Sequence, residues 1–235
     1  MIYRYFKSYK QPIKKEVISS PLQDRLIPED KTISEIDLDL KPKYRQARRN
    51  SEVREKKFLV LSKEEIIRWA QRYDEDHTWW VLTEKEIGDQ IRLDNEFGMK
   101  TLREIVHWKF LTLPGREKRV NNLLDEHTDE QVHRISRGAL SQRGDASRIE
   151  ELCELKGIGV ALASTVLTFY DPQRYCVYDI HVVREMYDQE PRYMFTGYDH
   201  YLQLLKDIRK MSKNYNISVR TIEKALFKKN LDESK

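Results

Sequence analysis

The chain has 235 residues, of which 39% are hydrophobic and 35% charged, so it can form a folded core and is not wholly disordered. Its longest weakly polar run, residues 160–170, contains two threonines and a serine, and the mean hydropathy is -0.76; both exclude a membrane span. The N-terminus lacks the apolar stretch of a secretory signal. We therefore expect an intracellular protein.

The charge is unevenly distributed along the chain. Residues 1–60 contain 15 Lys and Arg against 9 Asp and Glu, and residues 206–235 contain 9 against 4. Because the whole chain carries only +4, the middle, residues 61–205, has a net charge of -7. Both ends could approach a phosphate backbone, whereas a nucleic-acid contact in the middle would have to be local.

Four prolines interrupt short apolar pieces in residues 1–57, and no helical period is sustained there. Residues 41–50, KPKYRQARRN, are basic and remain open to two interpretations, a solvated linker or an arm that contacts phosphate. We predict an irregular basic N-terminal segment, residues 1–57, in front of a helical domain, residues 58–235.

From residue 61 onward the pattern predicts an all-α protein, because capping boxes precede apolar periods. The boxes begin at Ser62, Thr83 and Thr128, and each should start a helix. A fourth helix should be capped by Asp145, and a helix–helix turn is predicted at Leu113–Arg116. Further helices are predicted over residues 101–111, 116–124, 180–186, 198–214 and 218–229.

Residues 149–170 contain the sequence Leu-Lys-Gly-Ile-Gly between two helical patterns. Gly157 and Gly159 allow a tight turn, and Ile158 can insert into the core. The turn leads directly into a helix that starts near Val160. Unpaired backbone amides at such a start can bind a phosphate without any basic side chain.

Residues 175–187, here called the carboxylate segment, place one carboxylate, Asp179, at the start of another predicted helix. Two interpretations are open, because Asp is among the best N-cap residues and is also a catalytic side chain. The tyrosines of this segment, Tyr175, Tyr178 and Tyr187, are expected in the core rather than in a base-stacking wall.

Together these two pieces resemble the helix-hairpin-helix DNA glycosylase superfamily, which includes endonuclease III, the adenine glycosylases and the alkyladenine glycosylases. Residues 155–159 look like the hairpin of that family. Tyr178-Asp179-Ile-His181 looks like its Val-Asp-Thr-His-type segment, which carries the catalytic aspartate. The resemblance covers residues 149–187 and implies a two-lobed all-α fold, double-stranded DNA as the partner and Asp179 as the catalytic residue.

The departures from the family restrict the chemistry that the resemblance implies. Ala161 stands where bifunctional members have a Schiff-base lysine, and the two cysteines, Cys153 and Cys176, cannot ligate an iron-sulfur cluster. We therefore expect a monofunctional, cluster-free enzyme that requires no cofactor, with a monovalent cation possible on the hairpin carbonyls. The expected DNA contacts are Lys156, Gly157, Ile158, Gly159, Val160 and Ala161.

Four more residues are candidates for pocket or support roles: Tyr178, His181, Trp79 and Trp80. The sequence favours a local bracing role for His181 and hydrophobic anchoring for the two tryptophans. No two histidines are spaced i, i+4, and no His-Glu-x-x-His motif occurs, so no side-chain metal site is expected.

The leading expectation is a base-excision repair protein, a monofunctional DNA N-glycosylase that removes a damaged or mismatched base. The first alternative is a non-catalytic helix-hairpin-helix module that only binds DNA. The second is a helical interaction protein without nucleic-acid binding, which the acidic middle of the chain favours. The sequence leaves the target base and the oligomeric state open.

Overall fold

The structure, a computed structural model, describes residues 61–187 and 198–234, which belong to one compact unit of the chain. The predicted N-terminal segment 1–57, with its basic stretch 41–50, lies outside the described residues. The helices α1 to α10 are, in chain order, Lys63–Asp76, Thr78–Asp94, Met99–Phe110, Pro114–Leu124, Asp129–Ser141, Asp145–Leu152, Val160–Tyr170, Ile180–Tyr187, Tyr198–Tyr215 and Val219–Glu233.

The described part of the chain contains helices and no strands, which confirms the prediction of an all-α protein. In these same ranges, no helix combines the length and the apolar character that crossing a bilayer requires.

Two of the three predicted capping boxes are confirmed. The amide of Glu65 donates to Ser62 Oγ over 3.2 Å, and the amide of Gln131 donates to Thr128 Oγ1 over 3.2 Å. In both boxes the side chain three residues on bonds back to the cap amide. These starts are predictable because both partners of each bond lie within one turn of helix.

Three local predictions were wrong in detail. Thr83 does not start a helix, because α2 already begins at Thr78, directly after α1. Asp145 does not cap α6; Gly144 is the N-cap, and the Asp145 carboxylate instead binds Arg209 and accepts from the Tyr175 hydroxyl over 2.8 Å. The turn predicted at Leu113–Arg116 falls earlier, at residues 111–113, because Pro114 suits the first position of α4.

Helix α10 closes the fold by packing against α1, α8 and α9, while α7 packs against α2 and α3. The predicted core tyrosines are indeed buried, with Tyr175 0%, Tyr178 1% and Tyr187 7% exposed. Cys176 is buried and Cys153 half-buried, and both are free thiols. Burial raises the pKa of Cys153 to about 11, so this thiol is unreactive at neutral pH.

Arg220 forms a buried ionic network between α2 and α10. Its guanidinium donates to both carboxylate oxygens of Glu84, over 2.9 and 2.7 Å, and also pairs with Glu223. Its backbone amide donates to the carbonyl of Pro172 over 3.0 Å, which fixes the loop that precedes α8. Burial acts to lower the pKa of Arg220, but the two carboxylates outweigh it and raise that pKa well above its ordinary value.

Replacing Arg220→Leu should destabilise the protein by about 3–5 kcal/mol, because two buried carboxylates lose their partner. Urea unfolding measures the loss, and the exposed Arg134→Leu is a control expected to stay within about 0.5 kcal/mol. Adding Glu84→Leu and Glu223→Leu to Arg220→Leu should restore much of the stability. A loss in Arg220→Leu no larger than in the control would contradict this role.

Candidate functional site

The glycine turn joins α6 to α7, and its two glycines have different roles. Gly157 has φ +90°, which side chains rarely adopt, and a Cβ there would lie 3.1 Å from Leu123 Cβ. Ile158 is 4% exposed and inserts into the core as expected. Gly159 has φ -96° and faces open space, because no other group lies within 4 Å of the position that a Cβ would occupy. The fold therefore requires glycine at position 157 but tolerates a side chain at 159.

The start of α7 presents backbone donors to the surface. The first intrahelical bond joins the amide of Ala163 to the carbonyl of Gly159 over 3.0 Å. No side chain caps this helix, and within the described ranges no hydrogen bond engages the amides of Gly159, Val160 and Ala161. Because Gly159 is exposed, these amides form an accessible site for an anion.

Lys156 is held by two residues that precede α5 and that the sequence did not identify. Its backbone amide donates to His127 Nε2 over 2.8 Å, and its ammonium pairs with Glu126. The His127 contact requires an unprotonated Nε2, so the ring acts as an acceptor that orients the turn. The side chain of Lys156 is thus already paired before any phosphate binds.

Asp179 lies at the start of α8, and its two carboxylate oxygens accept hydrogen bonds from different partners. Its Oδ1 accepts from the amide of His181 over 3.0 Å, and its carbonyl accepts from Val183 over 3.1 Å, so it caps the helix. Its Oδ2 accepts from Lys109 Nζ over 2.8 Å. The side chains of Lys109 and Asp179 are only 11% and 20% exposed.

The pKa of Asp179 reflects two opposing effects. Burial acts to raise it, but the charge of Lys109, the Lys109 hydrogen bond and the amide of His181 together lower it below its ordinary value. Asp179 is therefore an ionised carboxylate at neutral pH. Lys109 was missed by sequence reasoning because it lies 70 residues away along the chain.

The two tryptophans differ in position. Trp80 Nε1 donates to the carbonyl of Trp108 over 3.0 Å, and Trp108 Nε1 donates back to the carbonyl of Trp80 over 2.9 Å. This reciprocal pair anchors α2 to α3 directly beside Lys109. Trp79 is 40% exposed and meets the ring of His107 edge-on at 5.8 Å, so only Trp80 is an anchor.

One hydrogen bond joins the segment of residues 175–187 to α7. The buried amide of Tyr178 donates to Ser164 Oγ over 2.9 Å, one turn beyond the start of α7. On the other side, His181 Nδ1 lies 2.9 Å from Asn230 Oδ1 of α10. The structure thus connects Asp179 to α7 through its neighbour Tyr178, and His181 links α8 to α10.

The described part of the chain has at least two surface depressions. One, of about 440 Å³, is lined by Gly115, Lys118, Arg119, Asn122, Leu123 and Glu126. The other, of about 520 Å³, is lined by Arg92, Tyr170, Asp171, Pro172 and Gln173. Asp179 lines neither of them. Among residues 61–187 and 198–234, no cluster of His, Cys, Asp or Glu is arranged to hold a metal ion.

Comparison of the chain with known proteins found no matching family model, curated protein or solved structure. The resemblance to the glycosylase superfamily therefore rests on residues 149–187. What it implies about activity and partners is a proposal.

Replacing Lys109→Met should destabilise the protein by about 2–4 kcal/mol at pH 7, because Asp179 stays buried without its cation. In the parent protein the lowered pKa of Asp179 contributes stability that is present above the unfolded value, ~3.9, and is lost as the pH falls. In the variant, burial raises that pKa, so protonation relieves the penalty. Urea unfolding should therefore show a deficit that shrinks from pH 7 toward pH 4.5.

The matched control is Lys109→Arg, which keeps the positive charge and should retain most of the stability. Combining Lys109→Met with Asp179→Asn should remove the pH dependence of the deficit. A deficit of constant size across this pH range would show that Lys109 contributes by packing rather than by its charge.

Proposed function

We propose that this chain is a DNA-binding protein of the helix-hairpin-helix type, with the two-lobed fold of that superfamily, that acts as a monofunctional DNA N-glycosylase. The observation that carries the proposal is a pair of features joined by one hydrogen bond. Exposed amides mark the start of α7, an ionised carboxylate marks the start of α8, and the Tyr178–Ser164 bond connects them.

The exposed amides support a phosphate contact. Three amide donors at a helix start attract an anion through hydrogen bonds and through the helix dipole. The open space at Gly159 permits close approach of a DNA strand. Within this proposal a monovalent cation on the hairpin carbonyls would add a further bridge to the phosphate.

The carboxylate supports the chemical step. Removal of a base breaks the bond between C1′ of the sugar and a ring nitrogen of the base, and positive charge develops on the sugar as the bond breaks. An ionised Asp179 stabilises this charge or orients the water whose oxygen bonds to C1′. The target nucleotide has to leave the base stack to reach such a group.

Lys109 is a positioning residue in this proposal. Its ammonium keeps Asp179 ionised and directs one carboxylate oxygen, while the other oxygen is held by the amide of His181. An ammonium engaged in an ion pair cannot attack a sugar carbon, and Ala161 carries no amine. Both features favour a hydrolytic, monofunctional reaction over an imine mechanism.

The alternative is a module that binds DNA through the hairpin without base release. It is favoured by the fact that helix capping and the ion pair with Lys109 suffice to explain Asp179. Neither of the two depressions described above includes this carboxylate in its lining. The two functions share the hairpin and differ only in the role of Asp179.

Asp179→Asn should abolish base release and leave DNA binding intact, because the amide keeps the cap geometry but not the charge. The assay incubates the purified chain with duplexes that carry uracil, hypoxanthine, oxidised guanine, alkylated adenine or a mismatch, followed by alkali cleavage of abasic sites. Loss of a charged transition-state partner should lower the rate by at least about a hundredfold. Absence of release from every duplex, with binding retained, would select the non-catalytic module.

Gly159→Asp should abolish duplex binding, because a carboxylate would occupy the position of the phosphate. Gly159→Ala is the control for the added side chain, because a methyl group carries no charge and cannot bond to the exposed amides. Both variants should fold, since the position is open and φ is negative. Fluorescence anisotropy with a labelled duplex measures binding, and equal affinities of the two variants would refute the hairpin contact.

A further inference from the structure

Helix α4 carries exposed cations beside the hairpin. Residues 111–123 contain three cations, Arg116, Lys118 and Arg119, and one anion, Glu117. Glu117 is turned toward His107, whose Nδ1 lies 2.9 Å from its carboxylate. The three cations are exposed, and within the described residues none of them forms an ion pair. This helix is therefore a local positive region inside the acidic middle of the chain.

The α4 groove is defined by Gly115, Lys118, Arg119, Asn122, Leu123 and Glu126. One of these residues, Glu126, pairs with Lys156 of the glycine turn. Leu123 also lies close to the turn, since a Cβ on Gly157 would be 3.1 Å from Leu123 Cβ. Two residues of the groove, Leu123 and Glu126, thus lie against the turn that leads into α7.

We infer that the α4 groove is a second contact for the phosphate backbone of duplex DNA, continuous with the hairpin contact; this rests on the proposed function. From Gly115 to Leu123 the helix rises about 12 Å. One strand of a duplex places about three or four phosphates along that length. Lys118 and Arg119 both line the groove, and each supplies one cation for phosphates that follow the one at the hairpin.

Glu126 should affect the affinity for DNA in the opposite direction to Lys118 and Arg119. Its carboxylate pairs with Lys156 in the free protein, and Glu126 lines the groove that a phosphate would enter. A phosphate bound there displaces Glu126 from Lys156. Glu126 therefore weakens the binding of DNA, and its removal should strengthen it.

The test compares two double variants that remove the same charge. Lys118→Gln/Arg119→Gln changes the α4 groove, whereas Lys63→Gln/Arg68→Gln changes two exposed cations of α1, which packs against α2 and α10. The affinity for a duplex of about 20 base pairs is measured by anisotropy between about 50 and 300 mM salt. Loss of two phosphate contacts should lower the slope of log affinity against log salt by about 1.8.

The α4 variant should also bind on the order of tenfold or more weakly at about 0.1 M salt, whereas the α1 variant stays close to the parent. Glu126→Gln should bind more tightly than the parent, and this gain should be smaller when Lys156→Gln is added. All variants change exposed side chains, and thermal unfolding verifies that each remains folded.

The outcomes separate this inference from the proposed function. If the two double variants behave alike while Gly159→Asp still abolishes binding, the groove is refuted and the hairpin contact stands. If the α4 variant loses affinity while Gly159→Asp and Gly159→Ala bind equally, the groove stands and the hairpin contact is refuted. Tighter binding by Glu126→Gln supports the groove, and unchanged or weaker binding contradicts it.

Discussion

The buried guanidinium of Arg220 determines how the helices around the candidate site are arranged. It binds Glu84 of α2 and Glu223 of its own helix, and it lies over the ring of Trp108 on α3 at 5.6 Å. Its amide also holds Pro172 in the loop between α7 and α8. Because a buried charge must keep its partners, these elements cannot shift independently. The residue next to Trp108 is Lys109, so the same constraint fixes the cation that binds Asp179.

The parts of the fold that could be predicted from the sequence depend on local interactions. The starts of α1 and α5 follow from Ser62 and Thr128, whose partners lie three residues away. Thr83 carries the same signal but lies inside α2, which begins at Thr78 and is joined to α3 by the hydrogen bond from Trp80 to the carbonyl of Trp108. Tertiary contacts routinely override such local signals.

The candidate site shows the same division between local and distant partners. Gly157 and Asp179 could be identified because the turn and the helix start are short-range features. Lys109 and Ser164 could not, since each meets the carboxylate segment only after folding, and neither residue type at its position signals such a contact. The contacts of His127 and Glu126 with Lys156 could not be predicted from the sequence for the same reason.

The net charge of -7 in residues 61–205 is a poor guide to what the surface attracts. Some of its carboxylates are paired with cations that lie outside this range of the sequence, as Glu84 is with Arg220 and Asp145 with Arg209. An anion paired inside the fold repels a distant phosphate far less than its formal charge suggests. The cations of α4 have no such partners among the described residues, so the local field there is positive. An acidic middle region is therefore compatible with a phosphate contact, provided that the contact combines backbone amides with a small unpaired basic surface beside them.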